Sequence, residues 1–490
     1  MALLAGLLLT IPFDYPGLFF VSWIGLVPFL LAVNGKRPGQ GFKIGLILGI
    51  TIFLKSAYWL YYPVVNYSGL PWLLSVLLLV VLFILLGSVY GLWAWLYLYF
   101  DQNANNSPFW LALSWTAVEY LRYRLIPDMG FAYLGYTQVR FPHLLQAAEL
   151  GGLFLLSFLV VLINGYFARF FFKKKVRYIV PVILLLLAVI IYGNFRLGYY
   201  QQPDGQKLAI GLVQTNLTPE LKWEISRIET NMDYLLSHSR QIKDAELIVW
   251  PESSLTFDLI RNGYYRDLFG QNLAGLPSYL QTGSLAIKEG EEEYRRYNSS
   301  FLISPELKIA GRYNKIRLVP FGEYLPVGRL LTSFFGLQLS DQKAGQEAVL
   351  FSSPFASWKT LICSEILHPV LMKMEIEQAD FVVNQSNETW CRQGNLQEQM
   401  WTAAVFRAVE NRRTIIKAGN YAYGGIILPS GQELSKAFSR EKTVITGQIP
   451  LSREETLYQK WGDWIGYLSL GIMGLLLLLK RLFHHFTSIF

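Results

Sequence analysis

The sequence predicts two architectures in one chain: a multi-span α-helical membrane domain of about eight spans and an extracytoplasmic α/β domain. Three observations carry this. Hydrophobic residues make up 52% of the 490 residues and charged residues only 16%. With a mean hydropathy of +0.30, the chain is too apolar for an ordinary soluble protein. Long apolar runs fill residues 1–200 and return at 460–490. From 207 to 450 charged residues come back and the apolar runs shorten to strand length, which marks a separate domain.

The first apolar stretch, Met1 to Pro12, is short for a span and either continues to Phe20 or inserts partway. It lacks a basic leader, so it reads as a span and not as a cleaved signal. Pro16 to Val33 is a fuller span, followed by a basic loop with Lys36, Arg37 and Lys43. A third runs from Ile44 to Tyr62. Its Lys55 must either snorkel to the interface or meet an acid or a lipid phosphate. Pro71 to Phe100 carries no charge, and Pro108 to Leu121 leads into Arg122 and Arg124. Ile126 to Gln146 is semi-polar and aromatic, as an interfacial segment would be. Glu149 to Phe172 and Tyr178 to Leu197 flank the most basic loop, Lys173 to Arg177, and Trp464 to Leu479 precedes Lys480, Arg481, His484 and His485.

Basic loops stay in the cytoplasm. Five spans then separate the first basic loop from the α/β domain, which puts that domain outside. The loop with Arg122, Arg124 and Arg140 falls on the same outer side, where lipid head groups or the α/β domain would have to receive it.

Within 207–450, strand-like runs are Lys207 to Thr215, Glu246 to Trp250, Ser278 to Ala286, Ser299 to Ser304, Lys359 to Cys363, Phe381 to Asn384, Thr414 to Ala418 and Gly424 to Leu428. Helical spacing covers Trp223 to Lys243, Ile366 to Gln378 and Leu396 to Arg412. Such a mixture makes one α/β domain.

The formal charge is +8, but the basic residues form no single patch and lie largely in inter-span loops, so nucleic acid is not an expected partner. Two cysteines, Cys363 and Cys391, exclude a disulfide framework; they either pair with each other or stay free. The five histidines have no zinc spacing, and no phosphate-cradling glycine loop is present. Neither a metal nor a cofactor is expected.

Cys363 ends an apolar run, where side chains commonly face a site. A thiol with its ordinary pKa of about 8.5 needs a base or a positive charge to attack. Glu252 follows another strand-like run and is walled by Trp250 and Pro251, which fits a carboxylate working near neutrality. Lys315 could stabilise an oxyanion. Together these residues suit acyl transfer through a thioester. Each also has an ordinary reading: a core cysteine, a turn and a solvated loop lysine. Spacing leaves both open.

Trp250-Pro251-Glu252, Lys315 within Arg312-Tyr313-Asn314-Lys315 and Leu361-Ile362-Cys363-Ser364-Glu365 resemble the three catalytic segments of the nitrilase (carbon–nitrogen hydrolase) superfamily. Val319-Pro320-Phe321-Gly322-Glu323-Tyr324-Leu325-Pro326, the flanking spans and the Gly45, Gly49 and Trp59 pattern narrow the resemblance to the apolipoprotein N-acyltransferase family over nearly the whole chain. The resemblance implies a nitrilase-like α-β-β-α sandwich, with Glu252 as general base, Lys315 as oxyanion-stabilising lysine and Cys363 as acylated nucleophile. It implies Glu323 and Glu365 as supporting acids and Trp223 as a substrate-engaging residue. It further implies an acyl donor among membrane phospholipids, typically phosphatidylethanolamine, and as acceptor the N-terminal amine of a diacylglyceryl-cysteine on a lipoprotein. The setting it implies is the bacterial cytoplasmic membrane.

The sequence departs from that pattern at Ser364, where a tyrosine is usual, and at Met400, where a histidine is frequent. Ser386-Asn387-Glu388-Thr389-Trp390-Cys391 replaces Ser-Asn-Asp-x-Trp-Phe, and Cys391, with no base beside it, reads as a packing residue. Lipid-facing aromatic loops are expected at Gly263 to Gly275, with Tyr264, Tyr265 and Phe269, and at Phe334 to Leu339. Two rivals remain: a membrane-tethered amidase using the same triad on small amides, and a non-catalytic scaffold.

Overall fold

The structure, a computed structural model, describes residues 1–100, 107–126, 128–200, 206–287, 296–320, 322–324, 342–392, 394–441 and 443–487. Phe321, Leu325, Pro326, the expected loop Phe334 to Leu339 and the side chains of His484 and His485 lie outside the described residues. The chain forms two compact units. One comprises Met1–Tyr58, Val76–Tyr199 and Thr456–Phe490; the other comprises Trp59–Ser75 and Tyr200–Glu455.

The first unit is helical. Five helices among the described residues are long and apolar enough to cross a membrane: Pro16–Val33, Trp72–Phe100, Ala148–Lys173, Val176–Tyr199 and Trp464–Leu482. Counting the bent pair Pro38–Ser56 and Tyr58–Tyr67 as one span makes six. Two expected spans fall outside this count for identifiable reasons. Ala2–Asp14 has 13 residues, against the about 20 a crossing needs. Pro108–Leu125 carries Glu119, Arg122 and Arg124 in 18 residues.

Helix packing here depends on small residues, as in bilayers generally. A Cβ at Gly45 would lie 2.4 Å from the Tyr90 carbonyl oxygen, and one at Gly49 would lie 2.5 Å from that of Gly87. Only glycine lets Pro38–Ser56 and Trp72–Phe100 approach so closely.

Several charges in this unit are met by partners within it. Lys55, half-exposed, sits 2.7 Å from Asp14, so the internal acid is its counter-ion. Glu149 pairs with Arg196 at 2.6 Å. Arg122 does not reach a lipid surface. It is buried, donates Nη1 to the Met129 and Phe131 carbonyls, and lies 3.9 Å over the Tyr133 ring. The segment expected at the interface is likewise interior. Tyr133, Leu134, Tyr136 and Gln138 are buried, the Leu134 amide donates to Glu119 and the Gly135 amide donates to Ser157.

The second unit holds twelve described strands in chain order: β1 Lys207–Val213, β2 Leu247–Val249, β3 Tyr279–Ile287, β4 Arg296–Ile303, β5 Ile309–Asn314, β6 Leu350–Ser352, β7 Ser357–Ile362, β8 Phe381–Asn387, β9 Thr414–Asn420, β10 Tyr423–Ile427, β11 Glu433–Phe438 and β12 Val444–Pro450. They form two six-stranded sheets, ordered β12-β1-β2-β3-β4-β5 and β11-β10-β9-β8-β7-β6. Strand alternation places Leu247 and Val249 on one face and Ile248 on the other. Leu247 and Val249 join Leu208, Trp358, Phe381, Ile416 and Ile426 in the core between the sheets. Ile248 and Trp250 join Met232, Leu235 and Phe269 in the layer beneath helices Ile228–Ser239 and Gly263–Leu273. Helix Leu396–Asn411 packs on β9 and β10 of the second sheet. The order of layers is α-β-β-α.

Two expected helices are broken where their residues demand it. Thr218 caps the short helix Pro219–Trp223, and Glu224 leaves helical geometry before Ile228–Ser239. Pro369 and the left-handed Glu375, φ +58°, divide the run expected at Ile366 to Gln378. Phe269, expected to face lipid, is buried against Trp250 with ring centroids 6.0 Å apart, whereas Tyr264 is exposed.

Trp358 anchors the inter-sheet core. It stacks on Phe381 at 5.2 Å and donates its indole N–H to Gln281 at 2.8 Å. Trp358→Ala is expected to cost about 3–5 kcal/mol, read as a lowered melting temperature of the detergent-solubilised chain. Trp461→Ala, at a tryptophan 58% exposed, should change stability by no more than about 0.5 kcal/mol.

Candidate active site

The candidate residues meet where strands of both sheets end. Glu252 follows β2, Lys315 follows β5 and Cys363 follows β7. Two of these ends are elbows. Cys363 has φ +53° and Ser253, directly after Glu252, has φ +49°. Neither residue is glycine, so each holds a left-handed backbone that costs about 1–2 kcal/mol and must be fixed by its surroundings. At the Glu252 elbow the surroundings are a glycine. A Cβ at Gly283 would lie 2.3 Å from the Ser253 nitrogen, so the β3 backbone presses directly on the turn.

The charges are buried and interlocked. Lys315 is 1% exposed. Its ammonium lies 2.9 and 2.8 Å from the two Glu323 oxygens and 3.7 Å from Glu252 Oε1. The Val319 amide donates to Glu323 Oε2 at 2.8 Å, closing the loop around the pair. Burial alone would lower the lysine pKa, but Glu323 and Glu252 outweigh it and the pKa is raised. Lys315 is therefore a permanent cation.

Asn298 on β4 joins the two acids. Its Nδ2 donates to Glu252 Oε1 at 2.7 Å and to Glu323 Oε1 at 3.0 Å. Strand register puts it there, since the Lys315 amide donates to the Asn298 carbonyl at 2.8 Å. Glu252 Oε2 is buried with no hydrogen-bond partner among the described residues, which leaves one carboxylate oxygen open to accept a proton.

Cys363 is 3% exposed. Burial pushes its thiol up to about 12, helped by Glu252 and Glu388 and opposed by Lys315. In the resting site the sulfur therefore holds its proton, and ionisation needs a base beside it. Its Sγ lies 3.9 Å from both the Asn387 carbonyl and the Ser386 hydroxyl. Asn384 Nδ2 donates to the Leu361 and Cys363 carbonyls, at 3.2 Å each.

Glu365 clamps the cysteine elbow to the lysine loop. Fully buried, it accepts from the Ile316 and Arg317 amides on Oε1, from the Ile362 amide on Oε2, and from the Tyr313 hydroxyl. Burial raises its pKa, and the Ile362 and Arg317 amides, the Lys315 cation and the Tyr313 hydroxyl oppose the rise.

Three further groups at the site were given no role by the sequence. Asn298 is one. Glu388 and Lys417 form a fully buried ion pair at 2.6 Å, with the Ser386 hydroxyl 2.6 Å from the same Glu388 oxygen. Lys222 is 3% exposed and donates its ammonium to the Glu252 main-chain carbonyl at 2.8 Å. Among the described residues, no three or more His, Cys, Asp or Glu side chains cluster as metal ligands would.

The sandwich and its buried Glu–Lys–Cys cluster can be set against known proteins. The carbon–nitrogen hydrolase family model matches residues 209–459, and the model of the apolipoprotein N-acyltransferase N-terminal domain matches 5–166. A protein of Geobacter metallireducens named apolipoprotein N-acyltransferase is 30% identical over 99% of this chain and 96% of its own length. The chain belongs to the apolipoprotein N-acyltransferase family. A Pseudomonas putida protein of the same name is 27% identical over 95% of this chain and 93% of its own. Among solved structures, a carbon–nitrogen hydrolase superfamily protein of Xanthomonas campestris is 16% identical. That match covers 50% of this chain and 91% of the other, at a TM-score of 0.39.

The places where this chain departs from the N-acyltransferase pattern now have surroundings. Ser364 is half-buried beside the Cys363 elbow. Met400 is buried within helix Leu396–Asn411. Glu388 is locked into its pair with Lys417. Cys391 is buried, its Sγ 3.7 Å from the Trp59 carbonyl, while Trp59 and Trp390 meet edge to face. Trp223 is 44% exposed, with the Lys222 ammonium 5.9 Å from its ring.

Glu365→Ala leaves three backbone amides without their acceptor, at about 1–3 kcal/mol each. We expect a lower melting temperature of the detergent-solubilised chain. An unchanged melting temperature would refute this account of Glu365.

Proposed function

We propose that the chain is an N-acyltransferase that moves an acyl chain from a membrane phospholipid to the N-terminal amine of a diacylglyceryl-cysteine on lipoproteins. The supporting observation is that a buried Glu252–Lys315–Cys363 cluster shares one chain with a set of bilayer-length apolar helices. A hydrolase of small soluble amides has no use for those helices.

The reaction runs in two half-steps. Glu252 takes the thiol proton through its open oxygen, and the thiolate attacks the ester carbonyl of the phospholipid. Negative charge on the carbonyl oxygen develops beside Lys315, whose cation is already in place. Collapse expels the lysophospholipid alkoxide, which leaves with the proton held by Glu252, and Cys363 becomes a thioester. The lipoprotein amine then attacks that thioester, the C–N bond forms as the C–S bond breaks, and Glu252 takes the amine proton and returns it to the departing sulfur, which regenerates the Cys363 thiol. Glu323 and Glu365 hold Lys315 and the elbow, while exposed Trp223 offers an aromatic surface to an incoming chain.

Phosphatidylethanolamine is the proposed donor. The catalytic domain, 207–450, is proposed to lie on the extracytoplasmic side of the bacterial cytoplasmic membrane. Membrane segments 1–200 and 460–490 would flank it. The basic loops at 34–43 and 173–177 and the basic C-terminal residues support that orientation.

Intact mass spectrometry after incubation with phospholipid tests the chemistry. We expect one hydroxylamine-labile acyl adduct on Cys363. It should be lost in Cys363→Ala and Cys363→Ser along with transfer activity, and kept in Cys391→Ala. Hydrolysis of small amides without any lipid adduct would overturn the transferase reading. Thiol labelling of Lys175→Cys tests the orientation separately. Labelling from outside intact cells would reverse it.

A further inference from the structure

The site contains a second buried lysine that the reaction described above does not use. Lys222 lies on the short helix Pro219–Trp223, outside every strand that supplies the cluster. Its ammonium is buried and donates to the main-chain oxygen of Glu252, at the elbow that carries the base. The charged and titratable groups facing this corner are Glu252 after β2, Lys315 after β5, Glu323 bound to Lys315, and Cys363 after β7. Glu388, which also acts on Cys363, is closed into a pair with Lys417, and Glu365 beneath the cysteine elbow is held by four donors of its own, so the count runs over Glu252, Glu323, Lys315 and Lys222.

Charge counting then decides what Lys222 is for. With the thiol protonated, Glu252 and Glu323 contribute two negative charges and Lys315 and Lys222 two positive ones. Moving the proton from Sγ to Glu252 Oε2 breaks the S–H bond and forms an O–H bond. It relocates one negative charge and leaves the sum at zero. Without Lys222 the same buried volume carries a net negative charge before and after the transfer. A buried uncompensated charge is costly, and a surplus anion opposes the thiolate.

We propose that Lys222 is a positioning residue for acyl transfer, anchoring the Glu252 elbow through the carbonyl and supplying the second positive charge that lets the Cys363 thiolate form. This rests on Glu252 as base and Cys363 as nucleophile. Burial brings Lys222 down to about 8, while Glu252 and Cys363 hold it up. The ammonium is therefore present at neutral pH and lost as pH rises beyond that value. Lys315 stays charged throughout, so the two lysines are separable by pH.

The test is the rate of Cys363 alkylation by iodoacetamide between pH 6 and 10, in full-length detergent-solubilised chain carrying Cys391→Ala. Lys222→Gln keeps a donor for the Glu252 carbonyl but removes the charge. It should slow alkylation at pH 7 about tenfold, as expected for losing one neighbouring cation. The gap from wild type should close above about pH 9, where wild-type Lys222 is itself neutral. Lys222→Arg should follow the wild-type profile at neutral pH and keep its advantage at high pH. A Lys222→Gln profile superimposed on wild type overturns the proposal. So does a Lys222→Gln defect that is equal at every pH and accompanied by a lower melting temperature, because that is the signature of a purely structural lysine. Phospholipid-derived acyl adducts on Cys363, measured on the same preparations, separate the two readings. Adduct present with an unshifted profile overturns Lys222 alone; adduct absent in the wild-type lysine background overturns the transferase reading and this proposal with it.

Discussion

A buried ammonium between two carboxylates organises the catalytic unit. Lys315 is held by both oxygens of Glu323 and faces Glu252. An isolated charge in such surroundings would shed its proton, and deleting one partner of a buried pair costs about 3–5 kcal/mol. The chain invests several elements in keeping that arrangement. β5 delivers Lys315, β4 delivers the Asn298 amide that bridges both acids, and the turn at Val319 folds Glu323 back onto the ammonium. The result is a cation fixed before any substrate arrives, which is the condition for stabilising a developing oxyanion without reorganisation.

The second constraint is backbone strain held at two strand ends. Left-handed geometry at Cys363 and Ser253 turns the chain sharply where a strand would otherwise continue. Strain of this kind persists only where packing over-determines it. Gly283 fixes one elbow by leaving no room for a side chain, and Glu365 fixes the other by collecting four donors from two chain segments. Trp358, stacked on Phe381 within its own sheet, donates to Gln281 on β3 of the other and so ties together the two sheets whose strands lead into these elbows.

Residues whose signal is local were legible in the sequence. Glu252 and Cys363 each close an apolar run, and the ends of central strands follow from composition. Lys315 sits in a run of turn-forming residues and was reachable by resemblance. Asn298 was not legible, because its importance depends on the register that sets β4 beside β5, and one residue's slip would point it away. Lys222 was hidden for a different reason. Its helix has only five residues, too few for a helical period to tell the buried side from the exposed one. Spans were legible as apolar runs, but Arg122 was misjudged. Composition registers a charge near a membrane face, whereas the fold supplies two carbonyls and an aromatic ring for it in the interior. Edge strands β5, β6, β11 and β12 escaped because a half-exposed edge has no sustained apolar pattern to read.

Burial also bears on what the proposed thioester can survive. Cys363, Glu252 and Lys315 are all under 10% exposed, and water is the natural competitor for an acyl-enzyme. A dry site strengthens the electrostatics that make the thiolate and keeps the intermediate from hydrolysis until an amine arrives. The same dryness forbids a surplus of either sign. A thiol pushed up to about 12 by burial ionises at neutral pH only if its proton has a fixed acceptor nearby and the leftover charge is balanced. In the proposed reaction Glu252 answers the first requirement, and Lys315 and Lys222 set against Glu252 and Glu323 answer the second. An acyltransferase working on substrates anchored in a bilayer, where the wait for the second partner is set by lateral diffusion, has more need of that balance than a hydrolase whose second substrate is the solvent.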